Sequence, residues 1–283
     1  MRNKTTLLVG AVAYDPKVVT IWEGFRKYFV ERNLDFDFIL YSNYECQVEA
    51  HLAGHVDIAW NSPLAWLQVC AAAAKLGRTA EAICMRDTDR DLTSVVLVRE
   101  NSGIRKLGDL NGKRVGAGAQ DSPQAYFIPL NELAKVGLLP SEQIEVVPFD
   151  VLVGKHGDHI GGERKAVQAL LDQNVDAACV IDSNYLAFSQ QGIIPTGAVR
   201  SIARTPPYDH CNFTGLNGAP TELVACFRKL LLDMSYSDPN IRPLLDLEGL
   251  KQWLPGRTEG YRPLSEAVDR FNALQPFLRS LNI

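Results

Sequence analysis

Short apolar runs alternate with longer amphipathic stretches along the first two thirds of the chain. Residues 7–13 form a run of apolar and small side chains and predict a buried first strand. Residues 19–32 place apolar side chains at helical spacing, and 35–41 alternate as a strand. Residues 44–53 return to helix, with Gly54 as its stop signal. Residues 56–60 and the alanine-rich 63–76 repeat the strand–helix step. A second series follows: strand 94–99, helix 124–134, strand 144–149, helix 165–171 and strand 176–181. Residues 199–204 run back as a strand to a Pro206-Pro207 turn, and 221–283 read as mainly helical. The glycine- and histidine-rich residues 154–163 read as a mobile loop, and the charge run 86–90 as a solvated one.

Strands alternating with helices imply an α/β protein whose sheets are mostly parallel and covered on both faces. The expected organisation is two lobes joined by a two-strand hinge: residues 1–95 plus 205–283 in lobe 1, and 96–204 in lobe 2. A cleft between lobes so connected is the natural ligand site.

Two segments share an unusual design. Val56-Asp57-Ile58-Ala59-Trp60-Asn61-Ser62-Pro63 and Arg114-Val115-Gly116-Ala117 up to Asp121-Ser122-Pro123-Gln124 each run strand, polar turn, Ser-Pro, helix. Serine before proline is an N-cap signature: proline suits the first helical turn, and the hydroxyl satisfies an orphan N–H. A helix start also offers free N–H groups and a positive dipole end to an anion. Ser62 and Ser122 need be no more than caps. Their occurrence in pairs after strands points to a small anionic ligand.

Composition narrows this picture. The chain has 283 residues, 46% hydrophobic and 22% charged, with a net charge of −4. A net negative chain argues against a nucleic-acid surface, so an anion site has to be built locally from N–H groups and hydroxyls. Six cysteines form no C-x-x-C pair, which argues against a zinc ribbon or a disulfide framework and suits a reducing compartment. The first thirteen residues imitate a leader peptide, but their apolar core is short. The expectation is a cytoplasmic chain as written, periplasmic if a leader has been removed, with no membrane insertion and no nucleic-acid partner.

Further landmarks lie along the chain: Val9-Gly10 followed by a polar turn containing Tyr14, Ser42-Asn43-Tyr44, Gly54-His55-Val56-Asp57-Ile58-Ala59-Trp60, Leu107-Gly108-Asp109-Leu110-Asn111-Gly112-Lys113-Arg114-Val115, Asp121-Ser122 up to Ile128-Pro129, and Gln173-Asn174-Val175-Asp176-Ala177-Ala178. In this order and spacing the chain resembles the phosphonate/phosphate/phosphite-binding subunits of ABC transporters, a branch of the type II periplasmic binding proteins. The resemblance spans nearly the whole chain. It implies a solute-binding protein that needs no cofactor and no metal, with a transporter permease as its partner. It also implies ligand oxygens held at Ser122, Gln124 and the nearby backbone, with Tyr44, Trp60 and Asn61 on the other lobe. Where that family carries Ser-Thr-Ser, this chain has Ser122-Pro123-Gln124. Where it carries Gly-x-His, the ungapped match is Gly161-Gly162-Glu163.

The candidate ligand-binding residues are therefore Tyr14, Tyr44, Trp60, Asn61, Ser62, Asp121, Ser122, Gln124, Glu163, Asp182 and His210. Asp182 follows an apolar strand, where α/β proteins bind ligands, and either meets a ligand amine or caps the next segment. Asp209-His210-Cys211 puts a thiol beside an imidazole, the makings of a nucleophile or a soft-metal ligand. Neighbours on an extended segment point to opposite sides, however, which favours a structural turn. His156 and His159 suit a closing loop better than a metal site. A cytoplasmic enzyme on the same fold is the alternative. It would be lyase- or dehydratase-like, similar to certain menaquinone-pathway enzymes, and would act on a small carboxylate through His159, Glu163, His210 or Cys211. A ligand sensor is a third reading.

Overall fold

The computed structural model describes residues 5–157 and 161–283. In chain order the elements are β1 (Leu7–Val12), α1 (Lys17–Val30), β2 (Phe36–Tyr41), α2 (Tyr44–Leu52), β3 (Ile58–Asn61), α3 (Pro63–Lys75), β4 (Ala80–Arg86) and β5 (Ser94–Arg99). Then come β6 (Arg114–Ala117), a π-helical turn (Pro123–Phe127) leading into α4 (Ile128–Lys135), β7 (Glu145–Pro148), α5 (Glu163–Leu171), β8 (Ala177–Ile181), α6 (Asp182–Gln190) and β9 (Val199–Arg204). The chain ends with β10 (Asn212–Leu216), α7 (Thr221–Leu232), α8 (Arg242–Glu248), β11 (Trp253–Pro255), α9 (Arg262–Arg270) and α10 (Gln275–Ser280).

The chain divides into two compact α/β units. The first is Met1–Arg90 with Asp209–Tyr261 and Leu274–Ile283, and the second is Asp91–Tyr208 with Arg262–Ala273. The expected boundaries at 95/96 and 204/205 thus move to 90/91 and 208/209. Residues 262–273, expected in lobe 1, belong to the second unit because α9 packs on α4.

Both sheets are mixed: most strands in each run in one direction, as expected, with antiparallel strands inserted among them. In the first, ordered β11-β4-β10-β3-β1-β2, only the β2-β1-β3 part is parallel. β10 arrives from far along the chain and pairs antiparallel to both β3 and β4. In the second, ordered β7-β6-β8-β5-β9, β6 is parallel to β7 and β8, and β5 is antiparallel to β8 and β9. The apolar runs fill both sides of these sheets, as strands covered on two faces require. On β5, Val95 and Leu97 enter one core cluster while Val96 and Val98 enter the other, following the two-residue period of a strand. The first unit's core is aromatic, with Trp22, Phe25, Phe29, Phe36, Phe213, Phe227 and Trp253 in one cluster.

The two segments linking the units are tied to each other on both flanks. Leu92 and Tyr208 exchange backbone hydrogen bonds of 2.8 Å each, and the His210 amide donates to the Asp89 carbonyl at 2.7 Å. Of the loop expected at 154–163, Glu163 is already the first residue of α5, and His156 is buried. His159 lies outside the described residues.

Candidate functional site

In each unit the polar candidates gather at the edge where the parallel strands end, the edge at which open α/β sheets bind ligands. In the first unit β3 ends at Asn61. Ser62 follows with extended backbone and caps α3, its Oγ accepting from the Ala65 amide at 3.1 Å. Asn43 caps α2 in the same way from the end of β2, accepting from the Cys46 amide at 2.8 Å.

Behind these turns runs a chain of buried polar side chains. Gln47 Nε2 donates to the Trp60 carbonyl at 2.9 Å and to Asn61 Oδ1 at 2.8 Å. Asn61 Nδ2 donates to Thr214 Oγ1, and Thr214 in turn donates to Asn212 Oδ1. Asn212 Nδ2 donates to the Tyr261 hydroxyl, which donates to the His210 carbonyl, each at 2.8 Å. Asn61 is thus committed to the interior. Two aromatic candidates are core residues as well. Trp60 packs on Phe213 with ring centroids 4.6 Å apart, under the Arg86 guanidinium, and Tyr44 sits among Val12, Val48 and Ala65. Tyr14 is half-buried against the aromatic core.

In the second unit β6 ends at Ala117, and Ser122 caps the helix start that leads into α4, accepting from the Ala125 amide at 3.2 Å. Glycine is required opposite it. A Cβ on Gly157 would sit 2.3 Å from Ser122 Oγ, so the backbone there lies directly against the serine. Gln124 Nε2 donates to the Gly157 carbonyl at 2.5 Å, while its buried Oε1 has no partner. Asp121 Oδ2 accepts from the Gly154 amide at 2.5 Å, so both ends of the segment Gly154–Gly157 are fastened to this turn. Ser94, at the start of antiparallel β5, reaches the same edge, donating to the Gln124 carbonyl and meeting the Tyr208 hydroxyl at 2.7 Å.

Glu163 also lies there, fully buried. Its Oε2 accepts from the Ile181 amide at 2.9 Å and from Asn184 Nδ2 at 3.0 Å, and its Oε1 has no partner. Burial pushes its carboxyl up to about 8, against the smaller pull of Asn184 and Ile181. The Tyr208 hydroxyl is raised as well, chiefly by burial, and stays protonated. Around this helix start the Glu163 and Tyr208 side chains therefore stand uncharged beside the Asp121 carboxyl. Asp182, in the first turn of α6, is answered by Arg204 at 2.6 Å. Sequence reading missed Ser94, Asn184 and Tyr208, since nothing local marks them.

The segment Asp209-His210-Cys211 departs from the expectation that its side chains diverge. His210 Nδ1 lies 3.1 Å from Cys211 Sγ and 3.4 Å from Asp89 Oδ1. The charge run 86–90 is correspondingly not a solvated loop. Arg86 grips Asp89 at 2.5 and 2.8 Å and reaches Glu248 at 3.2 Å, all with little exposure. Arg86 overrides the burial that would raise the Asp89 carboxyl and holds it down to about 2. A nucleophile relay needs one ring nitrogen for the thiol and the other for the carboxylate. Here both contacts converge on Nδ1, which does not favour the enzyme alternative. Asp209 is held separately by Arg257 in a two-pronged pair at 2.6 Å.

Comparison with known proteins agrees with this architecture. The family model for the periplasmic substrate-binding protein of phosphonate ABC transporters matches residues 11–261. PhnD1 from Prochlorococcus marinus, solved with methylphosphonate, superposes with a TM-score of 0.71 at 16% identity, over 95% of this chain and 98% of that one. A Xanthomonas citri protein bound to ATP gives 0.72 at 16%, over 97% and 99%. A phosphonate-transporter binding component from Pseudomonas aeruginosa gives 0.63 at 14%, over 99% and 97%. At such identities these structures share the fold. Among the described residues no helix is long and apolar enough to cross a membrane.

Proposed function

The chain belongs to the periplasmic substrate-binding proteins of phosphonate ABC transporters, and from that premise we propose that it captures a small oxyanion of the phosphonate class for a transporter permease. The observation that carries the ligand class is the helix start at Ser122. It stands at the C-terminal end of β6, beside the hydrogen-bonding side chains of Ser94, Tyr208 and Glu163. The first unit carries the same device at Ser62. Gln124 and Glu163 replace the hydroxyl and imidazole that the family pattern provides, so the ligand is read here by an amide and a protonated carboxyl. The latter can donate a hydrogen bond to a phosphonate oxygen, which an ionised carboxylate cannot. Delivery to a permease places the working protein outside the inner membrane, and fractionation of the native cells checks that location.

Thermal-shift and calorimetric titration with methylphosphonate, phosphate, an alkanesulfonate and ATP tests the ligand class. The expected result is that the phosphorus oxyanions raise stability, by about 2.7 kcal/mol at a hundredfold excess over Kd. Ser122→Ala should then weaken binding by about tenfold or more, as loss of a hydrogen bond to a charged group does. Stabilisation by ATP alone, or by none of the four, overturns the proposal.

A further inference from the structure

Asp89, His210 and Cys211 bring one oxygen, one nitrogen and one sulfur to a common point. The three ligand atoms all lie within 4.8 Å of one another. We propose that they form a site for a zinc-type divalent cation, which would pin the segment leaving the first unit to the segment returning to it. Asp89 ends the short 3-10 turn Asp87–Asp89 just before the chain leaves, and His210 and Cys211 lead into β10 just after it returns.

The two separations made by His210 Nδ1 fit the chemistry. With metal–ligand bonds of about 2.0–2.3 Å, a tetrahedral site sets nitrogen and oxygen ligands about 3.4 Å apart, and nitrogen and sulfur about 3.6 Å. The Nδ1–Oδ1 separation is 3.4 Å, and the Nδ1–Sγ separation of 3.1 Å needs to open by only a few tenths. Mixed sulfur, imidazole and carboxylate donors suit zinc rather than magnesium or calcium. Asp89 Oδ1 already accepts from Arg86 Nη2 at 2.8 Å but keeps a second lone pair for a cation, and Glu248 remains as a counter-ion of Arg86 at 3.2 Å. The backbone is already in place, with the His210 amide bonded to the Asp89 carbonyl and the His210 carbonyl taking the Tyr261 hydroxyl. Coordination would displace the Cys211 thiol proton to solvent, and the fourth position would be left for water.

The test uses the full chain, stripped with a chelator and titrated with Zn²⁺ by calorimetry and with Co²⁺ by absorbance. One equivalent should bind per chain, and the cobalt form should show a thiolate-to-metal charge-transfer band with tetrahedral visible bands. Cys211→Ser should abolish the charge-transfer band. His210→Gln should weaken zinc binding on the order of 100-fold, at least the loss seen when a supporting partner is removed. Cys46→Ser, which removes an exposed thiol elsewhere, should change neither. Absence of binding by the unaltered chain, a band that survives Cys211→Ser, or affinity that survives His210→Gln overturns the proposal. Circular dichroism identifies a variant that has failed to fold, and the other variant then decides.

Discussion

The Glu163 carboxyl and the Ile181 amide meet at 2.9 Å, tying the first residue of α5 to the last residue of β8. The side chain is buried, and its acid form is favoured to about pH 8. An acid whose folded value is raised holds its proton more tightly in the native state. Its stabilising contribution is complete below about pH 4.5 and is lost as pH rises through about 8. The difference corresponds to as much as about 5 kcal/mol. Urea melts of the unaltered chain should weaken steadily from pH 5 to pH 9. Glu163→Gln, which keeps an acceptor for Ile181 and Asn184 but cannot ionise, should flatten that limb and leave pH 5 stability nearly unchanged. An unaltered slope in the variant would assign the alkaline loss to another group.

His51 titrates in the opposite sense. It is buried at the end of α2, and neither ring nitrogen has a hydrogen-bond partner. Burial pushes its pKa down to about 4, and the Arg78 charge adds to this. The nearby Asp57 backbone pulls the other way without closing a hydrogen bond. A base whose folded value is depressed is protonated first in the unfolded chain, so stability is lost as pH falls from about 6.5 toward about 4. The loss approaches about 3 kcal/mol. His51→Leu fills a similar volume and strands no polar atom. It should raise stability at pH 7 by about 1 kcal/mol and remove most of the acid limb, as read by denaturant midpoints at pH 7, 5 and 4.

Tyr261 joins two parts of the first unit's buried polar chain, accepting from Asn212 and donating to the His210 carbonyl. Tyr261→Phe keeps the ring packed on Trp66 but leaves an amide hydrogen and a carbonyl oxygen unmet. The expected cost is about 2–4 kcal/mol, because each orphaned buried group loses its hydration without recompense. A melting-temperature change under 2 °C would show that water satisfies both groups.

How much of this was legible in the sequence depended on distance along the chain. The caps at Ser62 and Ser122 were readable because a cap is a rule spanning three residues, and both form as expected. The parallel halves of both sheets followed from the strand–helix alternation. The antiparallel halves did not, because β10 slots between β3 and β4 from more than a hundred residues away and carries no local mark of its neighbours. Arg86 and Asp89 looked solvated because a charge run is judged by its own hydropathy. They are buried because Glu248, 162 residues later than Arg86, completes their pairing. His210 and Cys211 were expected to diverge by strand alternation, but strand β10 begins only at Asn212, and the rule does not reach them. Trp60, Tyr44 and Asn61 were marked by the family pattern, and the structure gives each of them packing or hydrogen-bonding work inside the first unit.

Asp209 offers the sharpest separation of charge pairing from packing. Its side chain has no exposure and is gripped by Arg257 Nε and Nη2 at 2.6 Å, whereas the arginine is 30% exposed. Its amide donates to the Gly260 carbonyl at 3.0 Å, and a Cβ on Gly260 would lie 2.1 Å from the Asp209 carboxyl carbon. Removing the two partners should therefore have unequal consequences. Arg257→Ala leaves a carboxylate buried without its counter-ion and should cost about 3–5 kcal/mol. Asp209→Ala leaves a guanidinium that can turn to water, and should cost less. Together the two changes should cost less than the sum of the single losses, with a coupling of about 1–3 kcal/mol. Gly260→Ala should destabilise even with both charges present, since the obstacle there is volume. Urea unfolding of the four variants with unchanged slope checks the order. If Arg257→Ala proved milder than Asp209→Ala, the carboxylate would have to be held by its other neighbours, and the pair would not be what keeps this turn closed.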